Sequence, residues 1–222
     1  MWNSKVLSWL VVCFLSGIYP TSLAQSVGFS TQELLHPGSK IDARLQPYIS
    51  VLLPYFPELN GLKLSVRERK QLIPLTTVPS FMNLFRNKKN WKININVSNQ
   101  SIKLFEPILV KNMPDSAVIG VLGHELSHAK DFYTHKPNYI LKVFFWHLNP
   151  RKIDKFEYNT DLIAIKSGIG YYLKAWSTHT HTKMAVSDFN RKKDKAIIEK
   201  ERYMRPETIE KWMKEFPEIY TK

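Results

Sequence analysis

Cysteine is nearly missing from this chain. Cys13 is the only one among 222 residues, and it lies in an apolar stretch close to the N-terminus. That excludes a disulfide framework, a thiol nucleophile and a thiolate metal site for the rest of the protein. Any metal must be held by His, Asp and Glu, and an apolar core must supply the stability. Long hydrophobic runs are lacking too: Val6 to Ile18 is uncharged and mostly apolar, but spanning a bilayer takes roughly 20 such residues. Repeats and low-complexity tracts are absent, so the chain reads as one domain. Acidic residues are scarce, 19 against 32 Lys and Arg, for a net charge of +13. A basic surface attracts anionic lipid, acidic polymers or nucleic acid. Here the lysines are scattered rather than striped, which describes a solvated basic face, and nucleic acid is not expected as a partner.

The N-terminus has the form of a secretory signal. Lys5 precedes the apolar stretch, Pro20 breaks it, and Ser22-Leu23-Ala24 suits a small-x-small cleavage site. Residues 1–24 are therefore expected to be a signal peptide, and 25–222 a single exported domain, periplasmic or secreted, beginning at Gln25.

Hydrophobic patterning then gives the elements. Ile41 to Leu53 reads as a short helix closed by Pro54 and Pro57, and Leu62, Leu64 and Val66 alternate as a strand. Pro79 to Arg86 suggests a helix with Phe81, Leu84 and Phe85 inward. Trp91 to Val97 is a cleaner strand, with Ile93, Ile95 and Val97 on one face. Pro107 to Lys111 offers another short strand. Asp115 is expected to cap a helix over Ser116 to Tyr133, with Val118, Val121 and Leu122 buried. Pro137 to Pro150 is a bulky apolar insertion that suits the core first, and a channel wall or a membrane-surface element otherwise. Ile153 to Lys166 is a further helix ending near Gly168, another starts at Ile169, Asp188 to Glu201 is a charged helix or loop, and Pro206 opens a last helix. Strands first and helices afterwards indicate an α+β domain.

Chemistry concentrates in His124-Glu125-Leu126-Ser127-His128, an H-E-x-x-H. Histidines four apart on a helix leave it about 40° apart, on one face, and can hold one Zn²⁺ while the intervening Glu125 takes a proton from a water. A hydrolytic zinc site needs a third protein ligand. Glu157, in Glu157-x-x-x-Asp161 on the next long helix, is the candidate, with Asp161 one turn on to orient a zinc histidine, His124 first. Asp131 and Asp154 compete but lack this paired spacing. The plain alternatives are ordinary helix histidines and a solvated acidic face.

His124-Glu-Leu-Ser-His128 followed by Glu157-Tyr-Asn-Thr-Asp161 resembles the gluzincin metallopeptidases, in particular the branch of the prenyl-protein endopeptidases and their soluble bacterial relatives. The resemblance covers roughly Ile93 to Trp176. It implies a zincin-like fold, a small sheet beside the H-E-x-x-H helix and a second helix with E-x-x-x-D, in which an edge strand pairs with an extended peptide; Ile108 to Lys111 is the candidate strand. It also implies an oxyanion-stabilising group after the second helix. Ser177-Thr178-His179-Thr180 is similar to the Ser-Thr-His-Pro of soluble relatives but lacks the proline, and the arginine that usually follows is missing. His179 is the candidate, with His181, Tyr158, Tyr171 and Tyr203 as rivals.

The expected activity is that of an exported zinc endopeptidase with one Zn²⁺, ligands His124, His128 and Glu157, general base Glu125, and a protein or peptide substrate. A zinc hydrolase of a non-peptide bond such as a cell-wall amide, and a non-catalytic zinc-binding envelope protein, are the alternatives. Basic charge and the aromatic insertion also leave room for an anionic membrane surface.

Overall fold

A computed structural model describes residues 35–188 and 201–221. The expected signal peptide and nearly all of Asp188 to Glu201 lie outside the described residues. The fold is mixed α+β. Four strands, β1 (Lys40–Ile41), β2 (Lys63–Lys70), β3 (Leu75–Pro79) and β4 (Lys92–Gln100), form one sheet in the order β1-β2-β4-β3. β1, β2 and β4 run parallel, and β3 returns antiparallel along β4 at the edge, with Thr77 opposite Ile95. Ile93, Ile95 and Val97 of β4 are fully buried, as their alternation requires.

The helices are α1 (Gln46–Leu52), α2 (Asp115–Thr134), α3 (Asn138–Trp146), α4 (Pro150–Lys166), α5 (Gly170–Asp188), α6 (Pro206–Lys214) and α7 (Pro217–Tyr220). α2 is the centre of the molecule. Residues Gly120 to Ala129 are buried without a break, so the helix is enclosed on all sides rather than along the single face Val118, Val121 and Leu122 suggested. Two glycines permit this. A Cβ on Gly120 would lie 2.1 Å from the Tyr172 carbonyl oxygen of α5, and one on Gly123 would lie 2.2 Å from the Ile169 Cδ1. α5 therefore packs directly on the turn that precedes His124. α4 begins where chemistry favours it: the Asn149 side chain accepts from the amides of Arg151 and Lys152, and Pro150 occupies the first turn. It ends at Gly168, whose φ of 95° is a left-handed value that glycine adopts freely.

Several expectations are corrected. Pro107 to Lys111 is not a strand but a pair of 3₁₀ turns, Glu106–Ile108 and Val110–Asn112, so Ile108 to Lys111 offers no sheet edge. The edge is β3, which period-2 reading missed because Thr76, Thr77 and Pro79 break the apolar alternation. Pro79 to Arg86 holds only a 3₁₀ turn, Phe81–Leu84, and Phe81 and Phe85 point outward, 66% and 75% exposed. Asp115 lies inside the first turn of α2, where it accepts from the Tyr48 hydroxyl at 2.7 Å, while Pro114 takes the cap position. α1 is shorter than read, because Pro47 sets its start after β1 has already joined the sheet. The insertion 137–150 is helix α3, which buries Val143 alone and leaves much of its apolar surface outward. The helix expected from Ile169 starts at Gly170 and runs through the 177–180 segment as α5.

Candidate metal centre

The two helical spacings converge. His124 and His128 project from α2 toward α4, and Glu157 from the second turn of α4 meets both. Glu157 Oε2 lies 3.2 Å from His124 Nε2 and 3.1 Å from His128 Nε2. One ligand atom from each of His124, His128 and Glu157 lies within 4.8 Å of the others, a group that could hold a metal ion. All three side chains are largely withdrawn from solvent.

The outer nitrogens fix what the inner ones can do. His124 Nδ1 is 2.7 Å from Asp161 Oδ1, and Asp161 Oδ2 accepts from the Met204 amide at 2.7 Å. Asp161, 1% exposed, is thus an acceptor on both oxygens, and His124 Nδ1 must be the donor. Thr160 does the same for His128. Its hydroxyl donates to the Phe156 carbonyl at 3.0 Å, so its oxygen accepts from His128 Nδ1 at 3.1 Å. Each neutral ring then carries its N–H outward and presents a lone pair at Nε2. Two lone pairs and a carboxylate oxygen facing one another need a cation between them. The donor set therefore fits a divalent ion that accepts nitrogen and oxygen ligands.

The titration behaviour has the same origin. Burial by itself would lower the His124 pKa, but the hydrogen bond and charge of Asp161, and then those of Glu157, push it up to about 10. Burial would likewise raise that of Glu157, yet the His128 charge and the bonds from both imidazoles hold it well below the ordinary carboxylate range. Without a metal the cluster demands a proton in its place.

Glu125, one residue on from His124, does not join the three ligand atoms. Its Oε2 accepts from the Thr77 hydroxyl at 2.6 Å, and the same hydroxyl is 3.1 Å from the Glu125 carbonyl. The carboxylate is 6% exposed and is pinned against the edge strand. Around the ligands lie aromatic walls. Phe156 packs on His128 with centroids 4.9 Å apart, and Trp176 and Tyr203 on His124 at 5.1 and 5.6 Å. Tyr203 keeps 42% of its surface exposed, yet the packing around its ring first, and then the charges of Glu157 and Glu125, raise its pKa above the usual 10. It stays a protonated donor.

The expected oxyanion residue His179 sits elsewhere in its contacts: its Nε2 is 3.3 Å from the Pro107 carbonyl, beside a hollow shared with Pro114, Tyr171 and Lys174. His181 is exposed on α5, Tyr171 is half exposed, and Tyr158 accepts from the Trp212 indole at 2.9 Å. Of the rivals, Tyr203 packs its ring on a metal-ligand candidate, His124. Asp154 pairs with Arg202 at 2.6 Å, and Asp131 accepts from the Tyr139 hydroxyl at 2.7 Å; neither reaches the cluster.

Sequence reasoning missed Thr77, Thr160, Trp176 and Met204. Thr160 had a signal, since it stands three residues after Glu157 and so shares its helix face. Thr77 and Met204 had none, because each is brought to the site by the long-range packing of another element, Thr77 through its hydroxyl and Met204 through its backbone amide. Compared with protein-family models, curated proteins and solved structures, the chain finds no match, so the chemistry of the site is argued from its own atoms.

Proposed function

We propose that this protein is an exported zinc-dependent endopeptidase of the zincin type, hydrolysing peptide bonds with Glu125 as general base. One observation carries the reading. Two imidazoles with their lone pairs turned inward and one carboxylate form a three-ligand pocket, and a second carboxylate next to it, Glu125, is held by a hydroxyl instead of joining the ligands. A purely structural site has no use for that second carboxylate; hydrolysis does.

His124 Nε2, His128 Nε2 and Glu157 would hold the ion, which when bound supplies Lewis acidity and lowers the pKa of a water from 15.7 toward about 7. The remaining steps belong to the chain. Glu125 takes the proton of the attacking water and passes it to the leaving amine. The Thr77 hydroxyl holds the carboxylate in one orientation for both transfers. Asp161 and Thr160 keep the two imidazoles in the tautomer that binds metal. Tyr203, protonated and packed on His124, donates to the developing oxyanion; His179 is already engaged with Pro107. β3 has no strand beyond it among the described residues, and it passes Glu125 at Thr77. An extended peptide added to this edge would therefore run across the general base.

Glu125→Gln tests the reading. The variant should bind zinc as the parent does and lose hydrolysis by about 10²- to 10⁴-fold, the usual contribution of a general base. Metal analysis of both purified proteins, with a comparison of cleaved peptides in the native compartment, supplies the two readouts. Equal turnover by the Gln variant would remove Glu125 from the mechanism.

A further inference from the structure

A second surface is built from two stretches far apart in the chain. Phe81 and Phe85 leave the turn after β3, and Leu141, Phe144, Phe145 and Leu148 leave α3 and the turn that follows it. All are exposed, the last three by 64%, 62% and 76%. Leu84 and Phe85 share one hollow with Lys136, Pro137 and Leu141, so the two stretches form a single patch. Its aromatic rings pair with one another at the surface, Phe81 with Phe85 at 5.9 Å and Phe144 with Phe145 at 5.7 Å between centroids. Isolated apolar side chains on a surface are ordinary, but a contiguous patch marks a place of contact.

The charged residues flanking these aromatic side chains in sequence have one sign. No acidic residue occurs between Glu68 and Glu106, nor between Asp131 and Asp154. Within those stretches Arg86, Lys89, Lys136, Lys142, Arg151 and Lys152 surround the aromatic side chains in sequence. Among the described residues none of these is in an ion pair. Lys142 instead lies over the Trp146 ring at 5.2 Å.

We propose that this patch docks the protein on an anionic lipid bilayer. Aromatic side chains settle at the headgroup level, and each lysine or arginine near an anionic leaflet adds attraction. α3, with nine residues, is about 13.5 Å long and can lie in that interface but not cross it. Among the described residues no helix is long and apolar enough to cross a membrane. A second copy of the chain is disfavoured as the occupant, because a two-fold contact would set the lysines and arginines flanking this patch against one another. Phe81 follows Thr77 by four residues, at most about 14 Å of extended chain, so docking brings the Glu125 end of β3 close to the bilayer. If the hydrolase reading holds, the substrate is a segment presented at a membrane surface; the docking itself does not rest on that reading.

The test uses the full chain with Leu148→Cys in a Cys13→Ser background, carrying an environment-sensitive fluorophore at the new thiol. Vesicles of phosphatidylcholine with phosphatidylglycerol should shift its emission to the blue. Phosphatidylcholine alone, or high salt, should weaken the response at least 10-fold. Phe144→Ser with Phe145→Ser should weaken partitioning about 100-fold, and Lys136→Glu with Lys142→Glu at least 10-fold on anionic vesicles only. All four side chains are exposed, and a thermal melt checks that each variant folds. Glu125→Gln should dock like the parent, which separates docking from catalysis. The proposal is overturned by a probe that ignores anionic vesicles, or one already blue-shifted in dilute buffer and unmoved by lipid. It is equally overturned by a shift that follows protein concentration instead of lipid, and by undiminished docking of the Phe variant.

Discussion

Replacing Asp161 by Asn keeps the volume of the side chain and changes only which of its ends can accept. In the structure both oxygens accept, one from His124 Nδ1 and the other from the Met204 amide, each at 2.7 Å. Asn has one acceptor and one donor to offer. With its oxygen toward His124, its NH₂ meets the Met204 N–H, and two buried donors face each other at a cost of roughly 1–3 kcal/mol. With the amide flipped, Nδ1 of His124 must become the acceptor, the ring proton moves to Nε2, and the lone pair that faces Glu157 is lost. Either outcome weakens the metal site. Loss of an orienting carboxylate typically lowers zinc affinity about 10- to 100-fold, or about 1.4 to 2.8 kcal/mol. Competition against a chelator of known affinity measures it, with Asp161→Ala beside it to show the effect of removing both acceptors. Glu157→Ala, which removes a ligand atom itself, should weaken binding further. If Asp161→Asn holds zinc as tightly as the parent, the tautomer argument is wrong and Asp161 only packs.

Two further outcomes follow from the same geometry. In the metal-free protein the His124 pKa is raised from 6.5 to about 10. That contribution to stability is complete below pH 6.5 and is lost as pH rises toward 10, so thermal melts in chelator should fall across this window. Zinc takes the place of that proton, and zinc affinity should rise over the same range; a chelated protein whose melting temperature climbs with pH would contradict the assignment. Gly120→Ala puts a methyl group 2.1 Å from a backbone carbonyl oxygen of α5, which no rotamer relieves. It should destabilise the fold by about 3 kcal/mol or more, measured by denaturant unfolding. A neutral result would mean that α5 does not pack as closely as described.

How far the sequence showed the site depends on the distance over which each residue acts. His124, Glu125 and His128 were legible because four-residue spacing on one helix is a local property, and Glu157 and Asp161 for the same reason on another. The alternation of Ile93, Ile95 and Val97 was legible on equal grounds. β3 was not. It is an edge strand of five residues whose Thr77 faces inward to Glu125, and nothing in Leu-Thr-Thr-Val-Pro reveals that partner. Phe81, Phe85, Phe144 and Phe145 were misread as core because hydrophobicity reports a preference for leaving water without saying what will cover the side chain. His179 was placed by likeness to a Ser-Thr-His-Pro segment, whereas α5 continues through it and its ring nitrogen meets the Pro107 carbonyl.

The burial of α2 makes the metal reading stronger than the motif alone does. A helix enclosed on every side is best stabilised by apolar side chains, and replacing buried ionic groups by well-packed hydrophobic ones is often neutral or favourable. This helix instead carries His124, Glu125 and His128 at its most enclosed turns, and the neighbouring α4 supplies Glu157, Thr160 and Asp161 to pair with the two histidines. Each of these groups was taken out of water, and in the metal-free chain a proton must be captured on His124 to reconcile them. Such an arrangement departs from the local rule that cores are apolar, and departures of this kind are expected where function resides. Among the described residues, the atoms that meet there are two imidazole nitrogens and a carboxylate oxygen, with no lysine or arginine paired to them, so a bound divalent ion would replace the captured proton.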